Sequence, residues 1–201
     1  MDQWAYEGTT YQITSMYLVP EDAWTYELTQ PSGNYGALAV VIPDATPDDD
    51  PFTPMDAAHA LVAAGDGPLP WPLLLRFIRF VEVSGDIVSG PRTATVTVTG
   101  DLTSSLNAWA FAGRAFEATS YHDSEHDGWC YELYEVDPAN AANEYVCVRV
   151  PDLQPAGGPF ALAATGRVVF ASQGSPTFPW PVLRHFLKAI SASGDIVDDP
   201  A

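Results

Sequence analysis

Apolar and polar residues alternate in short runs along most of the chain, and twice the pattern switches to a helical period. Leu74, Phe77, Ile78 and Val81 fall at i, i+3, i+4 and i+7, which predicts a helix with one core-facing stripe. Leu183, Phe186, Leu187 and Ile190 repeat that stripe. Pro72 and Pro181 suit a first helical turn, where a missing N–H costs nothing, and Gly85 and Gly194 suit the left-handed position that ends a helix. Ahead of each helix the pattern is that of strands. Residues 4–17 alternate loosely around Gly8, which predicts a hairpin or a bulged strand pair. Residues 24–28 and 38–42 read as strands joined at Pro31-Ser32-Gly33, with Gly33 in the left-handed position. With Ser32 at the centre of the turn, Trp24 faces Val40 and Tyr26 faces Leu38, and Thr25, Glu27 and Ala39 share the opposite face. A short strand at 60–64 then leads into the first helix.

The second half repeats this order. Residues 4–28 align without gaps on 109–133 with ten of 25 positions identical, and 70–88 align on 179–197 with ten of 19 identical. The shared residues include Trp4/Trp109, Gly8/Gly113, Trp24/Trp129, Tyr26/Tyr131 and the closing Ser-Gly-Asp-Ile-Val. Two separated blocks in one order predict a tandem duplication. The expected fold class is therefore α+β: a module of about four antiparallel strands followed by one C-terminal helix, present at 1–91 and again at 92–201. The second hairpin pairs Trp129 with Val148 and Tyr131 with Val146 on this reading, and 167–172 is its last strand. Residues 93–99 alternate strictly without a counterpart in the first block, which predicts an extra linking strand. The two sheets are expected to join or to face each other about a pseudo-two-fold axis.

Charge then narrows the function classes. The chain carries 26 acidic residues against 8 Lys and Arg, a net charge of -18. Residues 1–91 hold 13 acidic and 2 basic groups for a net -11; the rest hold 13 and 6 for -7. Such a charge repels nucleic acid and anionic membranes, and it attracts basic proteins. No apolar run approaches the roughly 20 residues of a membrane span. Met1 to Trp4 lack a basic region followed by an apolar run, so the expected location is the cytoplasm.

Several residues invite a chemical reading. His122 and His126 lie near Asp123, Glu125 and Cys130, ligand types that zinc accepts. They sit in an expected turn, and Tyr17 and Glu21 replace them in the first block, so a solvated turn is the preferred reading and no metal is assigned. Cys130 and Cys147 come directly opposite each other if the second hairpin centres between Pro138 and Ala139, a placement that admits a disulfide. Reduced thiols are the ordinary state in a cytoplasm. Asp44 with Asp48, Asp49 and Asp50 is the densest acidic patch, a candidate partner-binding loop that lacks the spacing of a calcium loop. Arg76 and Arg79 align with His185 and Lys188; the outer face of an amphipathic helix is the preferred reading, and contact with the acidic surface of the sister module or of another chain is the alternative.

No nucleophile elbow, phosphate loop or dinucleotide fingerprint occurs, no cofactor is implied, and the chain reads as a binding protein rather than an enzyme. The leading expectation is an acidic interaction protein that binds a basic protein partner, as an immunity protein or antitoxin-like inhibitor does. The alternatives are a small-molecule-binding or enzymatic domain, with the six tryptophans lining a pocket between sheet and helix, and a DNA mimic. Sequence leaves the oligomeric state open.

Overall fold

A computed structural model describes residues 2–31, 38–47, 51–89, 95–99, 107–136, 144–153 and 160–197. It is mostly β-sheet with two helices, an α+β arrangement. The first half runs β1 (Asp2–Tyr6), β2 (Thr9–Leu18), β3 (Ala23–Thr29), β4 (Leu38–Pro43), β5 (Leu61–Ala64), β6 (Leu69–Pro70) and α1 (Trp71–Ser84). The second runs β7 (Thr97–Thr99), β8 (Asn107–Phe111), β9 (Arg114–Asp123), β10 (Gly128–Glu135), β11 (Tyr145–Pro151), β12 (Ala163–Ala164), β13 (Val169–Gln173), β14 (Thr177–Pro179), α2 (Trp180–Ser191) and β15 (Ile196–Val197).

One sheet has the order β1-β2-β3-β4-β5-β14 and the other β6-β13-β11-β10-β9-β8-β7. Each half thus builds five antiparallel strands against the expected four or so, with residues 4–17 forming the hairpin β1–β2. The turn between β1 and β2 explains the shared glycine. Glu7 and Gly8 take φ of 46° and 80°, and Ala112 and Gly113 take 48° and 80°. Two successive positive φ values are the signature of the tight hairpin turn that matches strand twist, and glycine adopts the second without strain.

The expected linking strand is shorter than 93–99. Residues 97–99 form β7, which pairs with β8 at the edge of the second sheet, while 93 and 94 lie outside the described residues.

The two sheets neither fuse nor stay apart. β14 adds to the first half's sheet, with Phe178 opposite Val62, and β6 adds to the second half's sheet, with Leu69 opposite Phe170. The backbone N–H of Trp71 donates to Val168 O at 3.0 Å, and that of Trp180 donates to Ala60 O at 2.8 Å. Each helix therefore starts from a strand seated on the other half and then returns to cover its own sheet. Phe80 of α1 meets Trp4 and Tyr26, and Phe186 of α2 meets Trp109.

The helix stripes are buried as their period predicts: Leu74, Phe77, Ile78 and Val81 in α1, and Leu183, Phe186, Leu187 and Ile190 in α2. Past each helix, Gly85 and Gly194 take φ of 89° and 88°. The next residue then reaches the sheet, where Tyr26 donates its hydroxyl to Asp86 and Tyr131 donates to Asp195. This latch explains why Tyr and Ser-Gly-Asp recur together: one fixes the sheet end and the other the helix end of a single contact.

Both hairpin registers are displaced by two residues from expectation. Trp24 lies opposite Ile42 and Tyr26 opposite Val40; Trp129 lies opposite Val150 and Tyr131 opposite Val148. A shift of two preserves which face each side chain takes, so the burial pattern survives the error. Gly33 lies outside the described residues.

Candidate functional site

The register correction rearranges the cysteines. Cys130 stands opposite Arg149, and Cys147 stands opposite Glu132. The two thiols are diagonal neighbours on the outer face of the sheet, away from α2, and both are free. They are close enough to hydrogen-bond. Cys147 together with burial raises the Cys130 thiol, while the contact with Cys130 and the nearby Arg149 hold Cys147 below its ordinary value.

Asp44 is not part of an exposed acidic surface. It is 5% exposed, and its carboxylate accepts hydrogen bonds from the N–H groups of Thr46 at 3.0 Å and Thr53 at 3.1 Å and from the Tyr17 hydroxyl at 3.2 Å. The backbone N–H of Thr46 is the first cause holding this carboxyl below its usual range. Asp44 thus ties its own loop together. Asp152 does the same in the second half, accepting from the N–H of Ala161 at 3.0 Å. Asp48, Asp49 and Asp50 lie outside the described residues.

The histidines do not converge. His126 Nδ1 lies 2.7 Å from Asp123 Oδ2, whereas the His122 ring lies edge-on to Trp129 at 6.4 Å. Among the described residues no group of three or more His, Cys, Asp or Glu side chains is placed to hold a metal ion. On the helices, Arg76 stacks over Trp4 at 4.1 Å and His185 meets Trp109 edge-on at 5.0 Å. The contact between helices comes instead from Arg184 and Glu82, 2.5 Å apart.

The tryptophans are spent on packing. Trp71, Trp109 and Trp180 are buried in the core, and the half-buried Trp24 and Trp129 lie against Phe52 and Phe160. The Nε1 atoms of Trp24 and Trp109 are buried without a hydrogen-bond partner.

A concave feature lies elsewhere. A cleft of about 160 Å³ opens on the outer face of the second half. Its polar groups are Asp123, His126, Cys130, Arg149 and Arg167, Pro151 and Val169 supply the apolar side chains, and Trp129 and Val150 border it from strands whose side chains turn to the opposite face. Strand β11 carries Arg149 into the middle of the sheet, half-buried, between Cys130 on β10 and Val169 on β13. Arg167 hangs over the rim from the short 3-10 turn Thr165–Arg167. Among the described residues neither arginine joins an ion pair, and the Nε of Arg149 is buried without a partner.

Sequence reading passes over both arginines because each lies in a strand-like stretch without a motif. The available signal is the aligned first half. Val41 stands opposite Thr25 as Arg149 stands opposite Cys130, and His59 occupies the place of Arg167. Comparison with known proteins gives no match to a family model, a curated protein or a solved structure.

Proposed function

We propose that the chain is a tandem duplication of one α+β module, divided near residue 91, and that the pair acts as an acidic interaction protein that binds a basic protein partner. An immunity protein or antitoxin-like inhibitor is the concrete form. Support for the duplication comes from the two aligned blocks, the shared order of paired strands and the repeated Tyr–Asp latch.

Uncompensated charge carries the functional reading. Against 26 acidic residues, the ion pairs of Lys or Arg among the described residues are Arg114–Glu135 and Arg184–Glu82. The remaining negative field is free to steer a basic partner, and it reaches about 8 Å at physiological salt. Such steering acts on the rate of encounter more than on dissociation.

The test is affinity capture from the native host, followed by kinetics at low and high salt. The captured protein should be basic. Its association should slow as salt rises, and replacing Asp48, Asp49 and Asp50 together by Asn should slow it in the same way at unchanged thermal stability. A partner without basic excess, or an association rate indifferent to salt, overturns the reading.

A further inference from the structure

We infer that the outer-face cleft of the second half is a binding site for a small organic carboxylate, held by Arg149 and Arg167. This goes beyond the partner reading and is independent of it. The cleft and the acidic surface are different features, and either can fail alone.

The argument begins with an imbalance. The chain has only 8 Lys and Arg. Two of them meet at one cleft, and neither is ion-paired among the described residues. Arg149 is half-buried, touches the Cys147 thiol and leaves its Nε without a partner. No carboxylate balances its charge by an ion pair among the described residues, and a desolvated charge is costly unless paired. The nearby carboxylates hydrogen-bond to other donors, and Asp123 acts on Arg149 through space without an ion pair. Glu132, on the same face, accepts the Tyr121 hydroxyl at 2.6 Å. Asp123 accepts from His126 Nδ1 at 2.7 Å and from the backbone N–H of Glu125 at 3.0 Å.

The aligned half supplies an internal control. Its fold is built with Val41 and His59 at the corresponding places, so the sheet does not need the arginines for its own structure. What they add belongs to the second half alone.

The wall of the cleft selects the ligand class. Pro151 and Val169, on the same face as Arg149, offer an apolar lining, and the two arginines are its cationic donors. A planar carboxylate fits the guanidinium fork in two parallel hydrogen bonds, and its hydrocarbon stem covers the apolar wall. A phosphate dianion has more acceptor sites and no apolar part to place there. The volume of about 160 Å³ suits a short stem.

Butyrate is the probe, with n-butanol and inorganic phosphate as comparisons, all at matched ionic strength in chloride. The readouts are the Nε–H resonances of Arg149 and Arg167 and the dissociation constant from titration. Butyrate should shift both resonances saturably, and butanol should shift neither. Arg149→Val and Arg167→His install the residues of the aligned half, and each should weaken butyrate about ten- to a hundredfold, as loss of a hydrogen bond to a charged group does. Thermal unfolding of each variant establishes that it is folded, and Arg167 is at the exposed rim, where replacement leaves the sheet intact. Butyrate that shifts neither resonance overturns the site, as does a folded variant that binds like the parent. Phosphate that binds more tightly than butyrate overturns the ligand class.

Discussion

Replacing Trp180 by Ala should destabilise both halves of the molecule together, although the side chain belongs to the second. Trp180 is 4% exposed, and deletion of a buried Trp side chain costs about 3–5 kcal/mol. The size of the loss is ordinary; its distribution is the point. Residues Thr177, Phe178 and Pro179 just before it pair with Ala63, Val62 and Leu61 of the first half. Besides the ladders of β5 with β14 and β6 with β13, five hydrogen bonds among the described residues cross between the halves here and at the reciprocal seam: Trp71 N–H to Val168 O, Trp180 N–H to Ala60 O, Ala64 N–H to Pro176 O, Ser172 Oγ to Gly65 O, and Gly174 N–H to Asp66 Oδ1. At about 0.5–1.5 kcal/mol each, they couple the halves by roughly 3–7 kcal/mol before side-chain packing is counted. That is comparable with the 5–15 kcal/mol of a whole small protein. Unfolding of the second half also removes β14 from the first sheet, so neither half should survive the other. Native-state hydrogen exchange measures this directly. Amides of β4 and of β11 should lose protection by the same 3–5 kcal/mol in the variant. Loss confined to β11, with β4 unchanged, would refute the interlock as an energetic unit.

Further outcomes follow from single contacts. Tyr131→Phe removes the latch to Asp195, whose half-exposed carboxylate can recover water, so the loss should be about 1–2 kcal/mol by denaturant titration; no change would mean the latch is incidental. Asp44→Asn should lower stability at neutral pH. The folded carboxyl sits below its unfolded value of about 4, so its contribution is present above that value and is lost as pH falls through the folded one. The parent and Asp44→Asn should therefore converge in acid, and a constant gap in thermal midpoint across pH would contradict this. Cys130 and Cys147 are 2% and 1% exposed and free, so a thiol reagent should react slowly with the native protein and titrate two thiols after denaturation. A count of zero under non-reducing conditions would place a disulfide there.

How much of this was legible in the sequence depended on how local the signal was. The helix stripes from Leu74 to Val81 and from Leu183 to Ile190 are periodic within eight residues, and packing buries them as their period requires. Strand faces were legible for the same reason, since alternation fixes which side chains share a face. Exact pairing was not. It depends on the centre of a loop, and a displacement of one residue there moved Cys147 from opposite Cys130 to opposite Glu132. The exchange of β6 and β14 left no trace, because two or three residues containing Pro70 or Pro179 carry no strand period and the pairing is set by tertiary contact. Asp44 was misread for another reason. A carboxylate in a loop looks solvated until the N–H groups of Thr46 and Thr53 are seen to close around it.

Positions that agree between the aligned halves and positions that differ fall in different parts of the molecule. Tyr26 and Tyr131, Asp86 and Asp195, and Gly85 and Gly194 agree, and all serve the closure of a helix onto its sheet. Thr25 and Cys130, Val41 and Arg149, and His59 and Arg167 differ, and the second member of each pair lines one outer-face cleft. A scaffold constraint acts on both halves alike, so it cannot generate that contrast. Random drift on an exposed face gives no reason for two of the chain's 8 Lys and Arg residues to meet at one concavity without an ion pair among the described residues. The net charge gives a long-range preference for basic partners, but it is screened beyond about 8 Å. Two guanidinium groups within a partly apolar cleft act at hydrogen-bond range, where the local donors outweigh a screened global field. An acidic protein can therefore attract a basic protein at long range and still hold a small carboxylate at short range.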